Sequence, residues 1–302
     1  MVMADHVTGG DLRQAAIWHG LWAVLPRPAP LAPANQTSPP GGWAVGSAGA
    51  GTGVPGEPVV GAHQPVVVDA GGGSGGFAVP IAAAGYPVIV VDPSPDALAA
   101  LRRRVAERGL DGRVTAMQGD LHDLTGLVGT GQADLLLCHS VLDVVDDPQS
   151  ALAHALGVLR PGGALSVVVA GLAAAVLARA LAGHFDDALA ALVGDEPPAH
   201  RPPSVDHGSS AGRERAGGRV PRRFTIAEAA ALVRAAGAEV LDIHGVRIFA
   251  DLVPGERLLD PLAARRLLRL ELAAVGREPF RDLAAQLHVL ARRPGGTEPH
   301  AR

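Results

Sequence analysis

A loop of glycines at residues 71–76, with the sequence GGGSGG, restricts the possible folds of this chain more than any other feature. The run PVVVD at 65–69 precedes it and fits a buried parallel strand, and residues 77–84 fit a helix. Glycine lets the backbone turn sharply and approach a ligand without a Cβ in the way. The first turn of the following helix offers free N–H groups, so the pattern predicts a ligand site between a strand and a helix.

The same loop fits two ligand-binding patterns. Gly71, Gly73 and Gly76 match the G-x-G-x-x-G pattern of dinucleotide-binding proteins. Asp69, together with Gly71, Gly73 and Gly75, matches the D-x-G-x-G-x-G loop that binds S-adenosylmethionine. The glycines alone do not separate these interpretations, and a purely structural turn is a third.

The rest of the chain alternates between short apolar runs and helical patterns. This alternation predicts an α/β fold, a Rossmann-like, mostly parallel sheet of seven strands with helices on both faces. The strands are predicted at 65–69, 87–92, 113–117, 133–138, 164–170, 238–249 and 287–293, and a helix–RPGG turn (160–163) precedes the fifth. Helices are predicted at 10–25, 77–84, 94–108, 148–159, 171–193, 225–236 and 258–275.

The sequence divides into one domain with additions. We expect residues 1–25 to form an N-terminal helix that contributes to the ligand site, and 26–64 to be a Pro- and Gly-rich linker or insert. Residues 65–293 form the main domain, with an Arg-rich loop insert at 194–223. We expect the tail at 294–302 to be disordered.

Composition excludes several classes of protein. The chain is 48% hydrophobic, which indicates a folded domain, and its net charge of −4 argues against a protein that coats nucleic acid non-specifically. Cys138 is the single cysteine, so no internal disulfide is possible. No signal peptide, membrane span or metal-binding His/Cys spacing is evident, and we expect a cytoplasmic protein without a metal.

Polar residues follow three more of the predicted strands. Asp92 ends the second strand, where a carboxylate can accept both ribose hydroxyls of an adenosine-type ligand. Asp120 follows the third strand and is placed for the adenine amine, and His139 follows the fourth. Ligands of open α/β sheets lie at this edge, although each residue also has an ordinary structural interpretation. The RPGG turn is common in S-adenosylmethionine-dependent methyltransferases and unusual in dehydrogenases.

Taken with the ends of the chain, these motifs resemble a known family. The sequence is similar to class I S-adenosylmethionine-dependent methyltransferases, and more narrowly to the tRNA 5-carboxymethoxyuridine methyltransferase family. The matching motifs, in chain order, are GDLRQAAIW (10–18), DAGGG (69–73), HSVLD (139–143), VLRPGG (158–163), GVRIFAD (245–251), LEL (270–272), EPF (278–280) and HV-x-AR (288–292).

The resemblance implies a cofactor, its contacts and an acceptor. S-adenosylmethionine would be the cofactor, with contacts at Arg13, Gly71, Gly72, Asp92, Asp120, Leu121 and His139. Arg13 would hold the methionine carboxylate of the cofactor. In that family the acceptor is a carboxylate on the wobble uridine of tRNA, which needs no general base because it is already ionised. Arg247 is the first candidate to orient it, followed by Arg222 and Arg223.

The distribution of charge leaves room for tRNA as a partner. Residues 199–223 carry 6 Arg and 2 acids, and residues 257–302 carry 9 Arg and 5 acids, so each segment has a net charge of +4. The Arg-rich segments 199–223 and 257–293 are therefore candidates for contacting phosphates. Departures from the family lie near the acceptor: Asp143-Val144 replaces Glu-Trp, and Val169-Ala170 replaces Tyr-Asn.

Four hypotheses follow from the sequence. The first is a methyltransferase acting on tRNA, and the second is a methyltransferase acting on a small molecule through the altered acceptor side. The third is a nicotinamide-dependent oxidoreductase that uses the same glycine loop. The fourth is a non-catalytic module that keeps the cofactor as a structural ligand.

Overall fold

A computed structural model describes residues 14–26, 63–194 and 221–295 of the chain. Several sequence predictions lie outside these ranges. They are the cofactor contact at Arg13, nearly all of the linker at 26–64, most of the Arg-rich insert at 194–223 and all but the start of the tail.

The described ranges contain one sheet of seven strands in the order β3-β2-β1-β4-β5-β7-β6. The strands are β1 (Val67–Ala70), β2 (Val88–Asp92), β3 (Val114–Gln118), β4 (Ala133–His139), β5 (Leu159–Ala170), β6 (Glu239–Val246) and β7 (Gln286–Arg292). Strands β1 to β5 pair in parallel, whereas β7 runs antiparallel to both of its neighbours, β5 and β6. The prediction of a mostly parallel, seven-stranded α/β fold is confirmed.

The helices cover both faces of this sheet. They are α1 (Ala15–Val24), α2 (Ala78–Ala83), α3 (Pro95–Glu107), α4 (Leu124–Val128), α5 (Pro148–Ala155), α6 (Leu172–Leu181), α7 (Phe185–Val193), α8 (Ile226–Ala235) and α9 (Pro261–Ala274). One apolar cluster packs α1, α2 and α3 on one face, and a second packs α4, α5 and α8 on the other. Side chains of β4 alternate between the clusters, since Leu135 and Leu137 join the first and Leu136 and Cys138 the second.

The starts of three helices follow from their sequence. The side chain of Ser94 accepts a hydrogen bond from the Ala97 N–H at the start of α3, and the Asp147 side chain caps α5 in the same way. A proline occupies the first turn of both helices, where its missing N–H costs nothing. The capping box of Thr225 and Glu228 at α8 is also present as predicted.

Other segments differ from the sequence prediction. Residues 171–193 form two helices, because Gly183 adopts a left-handed φ of 80° that ends the first. The RPGG residues are not a separate turn but belong to β5, since Gly162 N–H donates to the Arg293 carbonyl and Arg293 N–H to the Gly163 carbonyl. Helix α4 was not predicted, and β6 ends at Val246 instead of continuing to Phe249.

A buried carboxylate explains why β6 ends early. Glu271 of α9 is 3% exposed and accepts hydrogen bonds from the N–H groups of Ile248, Phe249 and Ala250 at 2.7–2.9 Å. These three donors have left the sheet, and a single carboxylate replaces the strand partner that they lack. Glu271 therefore shapes the backbone that follows Arg247.

We expect the Glu271→Gln change to lower the free energy of unfolding by about 2–4 kcal/mol, because an amide offers one acceptor oxygen where three buried N–H groups need two. Chemical denaturation monitored by circular dichroism would measure the loss. Glu107→Gln on the exposed side of α3 is the matched control and should change stability by less than about 0.5 kcal/mol. Equal stability of the two variants would contradict this account of Glu271.

Candidate active site

The parallel register of three strands brings the predicted cofactor residues to one edge of the sheet. Ala70 at the end of β1 lies opposite Val91 of β2 on one side and Cys138 of β4 on the other. The next residue of each strand or loop is therefore Gly71, Asp92 or His139, and the three lie side by side. Crevices at the carboxyl ends of parallel strands are where α/β proteins bind ligands.

The glycine loop adopts a backbone that other residues would strain. Gly71, Gly73 and Gly75 have φ values of 71°, 57° and 83°, in the left-handed region. Gly72 lies directly over β1, and a Cβ built on it would be 2.5 Å from the Asp69 carboxylate oxygen Oδ2. A Cβ on Gly76 would meet nothing within 4 Å. The loop is thus packed against the sheet at Gly72 and open at Gly76, at the start of α2.

Asp92 joins this loop to the second strand. It is 2% exposed, and its Oδ2 atom accepts a hydrogen bond from the Gly73 N–H at 2.9 Å. Its Oδ1 atom accepts another from the Ser94 N–H at 2.9 Å. A carboxylate at the end of the second strand is the group that can accept from a vicinal pair of hydroxyls in this kind of fold. The residues at this edge therefore fit the adenosine part of S-adenosylmethionine.

The residues that follow β3 differ in their exposure. Asp120 is exposed, and its Oδ1 atom accepts hydrogen bonds from the His122 N–H at 2.7 Å and the Asp123 N–H at 3.3 Å. Leu121 is 4% exposed and belongs to the core. Asp120 therefore shapes the turn after β3 and still lies at the same edge as Asp92, while Leu121 supports that turn from below.

His139, the last residue of β4, is held by its neighbours. Its Nε2 atom lies 2.8 Å from the Ser166 hydroxyl of β5, and its ring meets the ring of Phe77 edge-on at 4.6 Å. Phe77 directly follows the glycine loop. Burial lowers the pKa of His139 to about 3, so the imidazole is neutral at pH 7.

A positively charged cavity of about 430 Å³ lies beyond the ends of β5 and β7. Arg179 of α6, Arg223 and Arg247 line it together with Asp251, and the rest of the lining is apolar apart from Gln286. Three arginines and one aspartate give this lining a net charge of +2. Such a cavity fits a small anionic group better than a neutral or cationic one.

Two of the three predicted acceptor-orienting arginines line this cavity. Arg223 is placed there because the next residue, Phe224, bonds to the end of β5: its N–H donates to the Ala170 carbonyl at 2.9 Å. Arg247 follows β6, and its guanidinium forms an ion pair with Asp251. The third candidate, Arg222, does not line the cavity; it donates to the Asp143 and Val145 carbonyls.

Two residues with a strained backbone lie in the site, one next to His139 and one in the lining of the Arg-lined cavity. Among the described residues other than glycine, Ser140 and Arg247 are those with a left-handed φ, of 55° and 59°. Ser140 follows His139, and its hydroxyl oxygen lies 3.4 Å from the amide nitrogen of Gln286, which lines the cavity. We call the edge of the sheet at Gly71, Asp92 and His139 the cofactor edge. The contact between Ser140 and Gln286 connects this edge with the Arg-lined cavity.

Four residues of the site were not predicted from the sequence: Arg179, Ser166, Phe77 and Gln286. Ser166 had a visible signal, as the one polar side chain in the apolar run ALSVVVA. Arg179 had none, because the position of α6 depends on the break at Gly183. In the part of the chain that the structure describes, no group of three or more His, Cys, Asp or Glu side chains is arranged to hold a metal ion. No helix described there is both long and apolar enough to cross a membrane.

Comparison with known proteins agrees with this geometry. A family described as a methyltransferase domain matches residues 68–167, from β1 to β5. The tRNA 5-carboxymethoxyuridine methyltransferase of Escherichia coli (strain K12) is 28% identical over 207 residues, which cover 68% of this chain and 72% of that protein. The same enzyme from Escherichia coli O157:H7 matches over the same shares of the two chains.

Solved structures of methyltransferases share the fold. An S-adenosylmethionine-dependent methyltransferase from Mesorhizobium loti has a TM-score of 0.50 at 19% identity, covering 93% of this chain and 100% of its own. Another, from Methanosarcina mazei, has a TM-score of 0.50 at 16% identity and covers 76% and 92%. The antiparallel β7 between β5 and β6 also departs from the 3-2-1-4-5-6 order of dinucleotide-binding domains. The domain match, the strand order and the glycine loop together show that this chain is a class I S-adenosylmethionine-dependent methyltransferase.

Proposed function

We propose that this enzyme transfers a methyl group to a carboxylate on the modified wobble uridine of a tRNA. The observation that carries the proposal is the cavity lined by Arg179, Arg223 and Arg247, which adjoins the cofactor edge and has a net charge of +2. The similarity to tRNA 5-carboxymethoxyuridine methyltransferases supports the same acceptor.

The cofactor contacts belong to this proposal. Asp92 would accept hydrogen bonds from the ribose hydroxyls, while Asp120 and Leu121 would lie against the adenine. Gly71, Gly72 and His139 would face the methionine part, and Arg13, outside the described residues, would pair with its carboxylate. Bound S-adenosylmethionine supplies an electrophilic methyl group on a sulfonium.

Methylation of a carboxylate requires the protein mainly to position the two substrates. A carboxylate is ionised at pH 7, so no side chain has to remove a proton. Arg223 and Arg247 would hold the carboxylate so that one oxygen faces the methyl group in line with the bond that breaks. Arg247 is already oriented by Asp251, and the Glu271 carboxylate holds the backbone that follows it.

Exposed arginines offer contacts for a tRNA backbone. They lie on α9 and on both sides of it, at Arg257, Arg265, Arg266, Arg269 and Arg277. Arginine suits phosphate because its planar guanidinium donates two parallel hydrogen bonds. The Arg-rich segment 199–223, of which residues 199–220 lie outside the described ranges, would add to this surface in the proposed complex.

A second candidate is a methyltransferase for a small molecule that carries a carboxylate. The observation in its favour is the departure from the family at Asp143 and Ala170. These two residues form a hydrogen bond with each other: the backbone N–H of Ala170 donates to the side-chain carboxylate of Asp143 at 3.0 Å. The cavity volume of about 430 Å³ also lies in the range typical of small-ligand sites.

The proposed role of Asp92 predicts the effect of a conservative change. Asp92→Asn should weaken binding of S-adenosylhomocysteine about 10- to 100-fold, because an amide replaces one of the two anionic acceptors offered to the ribose. Isothermal titration calorimetry would measure the dissociation constant. Asp96→Asn, on the exposed first turn of α3, is the control and should bind normally. Unchanged affinity in Asp92→Asn would rule out the proposed ribose contact.

The proposed acceptor predicts a change in tRNA. Deleting the gene in its host should remove the methyl ester from the wobble uridine and leave the free carboxylate, as measured by mass spectrometry of tRNA nucleosides. Complementation with the wild type should restore the ester, and complementation with Asp92→Asn should restore less of it. An unchanged nucleoside profile in the deletion strain, together with turnover of a small carboxylate without tRNA, would favour the second candidate.

The cavity arginines predict a selective loss of acceptor binding. Arg223→Gln and Arg247→Gln should each lower kcat/KM for tRNA from the deletion strain at least tenfold, because a positively charged partner of the carboxylate is lost. The dissociation constant for S-adenosylhomocysteine should stay within about twofold. Arg234→Gln, exposed on α8, controls for the loss of one positive charge. Equal activity of all three variants would exclude this cavity as the acceptor site.

A further inference from the structure

Three histidines form a row across the sheet on the face that α1 covers. His139 of β4 lies in register with Val168 of β5, which lies in register with His288 of β7, and His288 pairs with His244 of β6. The ring centroids are 6.1 Å apart between His139 and His288 and 5.7 Å apart between His288 and His244. We call these three residues the histidine row. It begins at the proposed cofactor contact and ends at the far edge of the sheet.

A serine hydroxyl connects two members of the row. Ser166, which is fully buried, lies 2.8 Å from the Nε2 atom of His139 and 2.8 Å from the Nε2 atom of His288. A hydroxyl has one proton, so it donates to one ring and accepts from the other. The two neutral imidazoles must therefore carry their protons on different nitrogens.

Both rings are held in the neutral form. Burial lowers the pKa of His288 well below its usual value, and the neighbouring His139 and His244 lower it further. Helix α1 closes the row tightly, since a Cβ built on Gly20 would lie 2.8 Å from the Cε1 atom of His288 and 3.1 Å from the Nδ1 atom of His244. This close approach of α1 excludes solvent from the rings on that side.

The far end of the row is a hydrogen bond to a carboxylate. The Nε2 atom of His244 lies 3.0 Å from a carboxylate oxygen of Asp242, which can only accept, so the Nε2 atom of His244 carries a proton. The Nδ1 atoms of His244 and His288 are both buried without a hydrogen-bond partner among the described residues, so this bond does not choose between the two arrangements of Ser166. In one arrangement His288 accepts from Ser166 and Ser166 accepts from Nε2–H of His139, which leaves the Nδ1 atom of His139 as an acceptor.

We propose that Ser166 and His288 are positioning residues that fix His139 as the Nε2–H tautomer, so that its Nδ1 atom accepts a hydrogen bond from the methionine ammonium of S-adenosylmethionine. The Nδ1 atom of His139 is buried and has no hydrogen-bond partner within the described protein. His139 stands at the carboxyl end of β4 against Phe77, the residue that follows the glycine loop. The proposal rests on the cofactor contact proposed above for His139.

The tautomer can be observed directly in the wild-type protein. Two-bond ¹⁵N–¹H correlation spectra of protein labelled at histidine distinguish a protonated ring nitrogen from an unprotonated one. We expect His139 to be protonated on Nε2 and His288 on Nδ1, with assignments made from the His139→Gln and His288→Gln variants. The opposite pair of tautomers would overturn the proposal, whatever the stability of the Ser166 variants.

Ligand binding tests the function of the row. Ser166→Ala removes the hydroxyl without filling the space. It should raise the dissociation constant of S-adenosylhomocysteine about five- to tenfold. It should leave binding of 5′-methylthioadenosine, which lacks the amino-acid part, within about twofold of wild type. Titration calorimetry with each nucleoside would measure both constants. Equal weakening of both ligands, or none of either, would overturn the positioning role.

Two further variants separate this role from general damage and from the cofactor contact itself. Val167→Ala alters the opposite face of β5, so it should lower the melting temperature and leave both dissociation constants unchanged. The contact between His139 and the cofactor could exist without being positioned by the histidine row. In that case His139→Gln should weaken the binding of S-adenosylhomocysteine and Ser166→Ala should not. Normal binding by both His139→Gln and Ser166→Ala would instead remove the contact on which the proposal rests.

Discussion

The parallel pairing of β1 with β2 and β4 is the constraint from which the site follows. Because Ala70 pairs with Val91 and with Cys138, the residues that come next on three separate segments reach the same edge of the sheet. A shift of one residue would turn Asp92 and His139 towards the opposite face. The glycine loop then has only to pass over this edge, and the Gly73 N–H bond to Asp92 secures it there.

Buried carboxylates accept hydrogen bonds from the backbone at the ends of several strands. Asp92 accepts from the glycine loop, Asp143 from the Ala170 N–H at the end of β5, and Glu271 from three donors beyond β6. At the other edge of the sheet, Asp134 accepts from the Val66 N–H and pairs with Arg160. Charge-assisted bonds of this kind are stronger than neutral ones, so a few side chains fix the loops on which binding depends.

What the sequence could predict was local. The strand-to-helix position of the glycine loop, the place of Asp92 at the end of β2 and the helix caps at Ser94 and Thr225 depend on neighbours within a few residues, and the structure places them as predicted. The bond between Ser166 and His288 joins residues 122 apart and depends on antiparallel pairing that no local pattern encodes. Arg222 and Arg223 show a second limit of prediction from the sequence. Side chains of adjacent residues in an extended segment point in opposite directions, and only the tertiary structure shows that Arg223 lines the cavity and Arg222 does not.

The left-handed backbone at Arg247 carries a consequence for the evolution of this enzyme. A non-glycine residue in that conformation gives up roughly 1 kcal/mol or more, which glycine would not. Glycine would also remove the guanidinium that lines the cavity. The chain thus keeps a strained residue at a place where its charge lines the cavity, a local exchange of stability for charge. Selection for thermal stability alone would therefore favour glycine at this position.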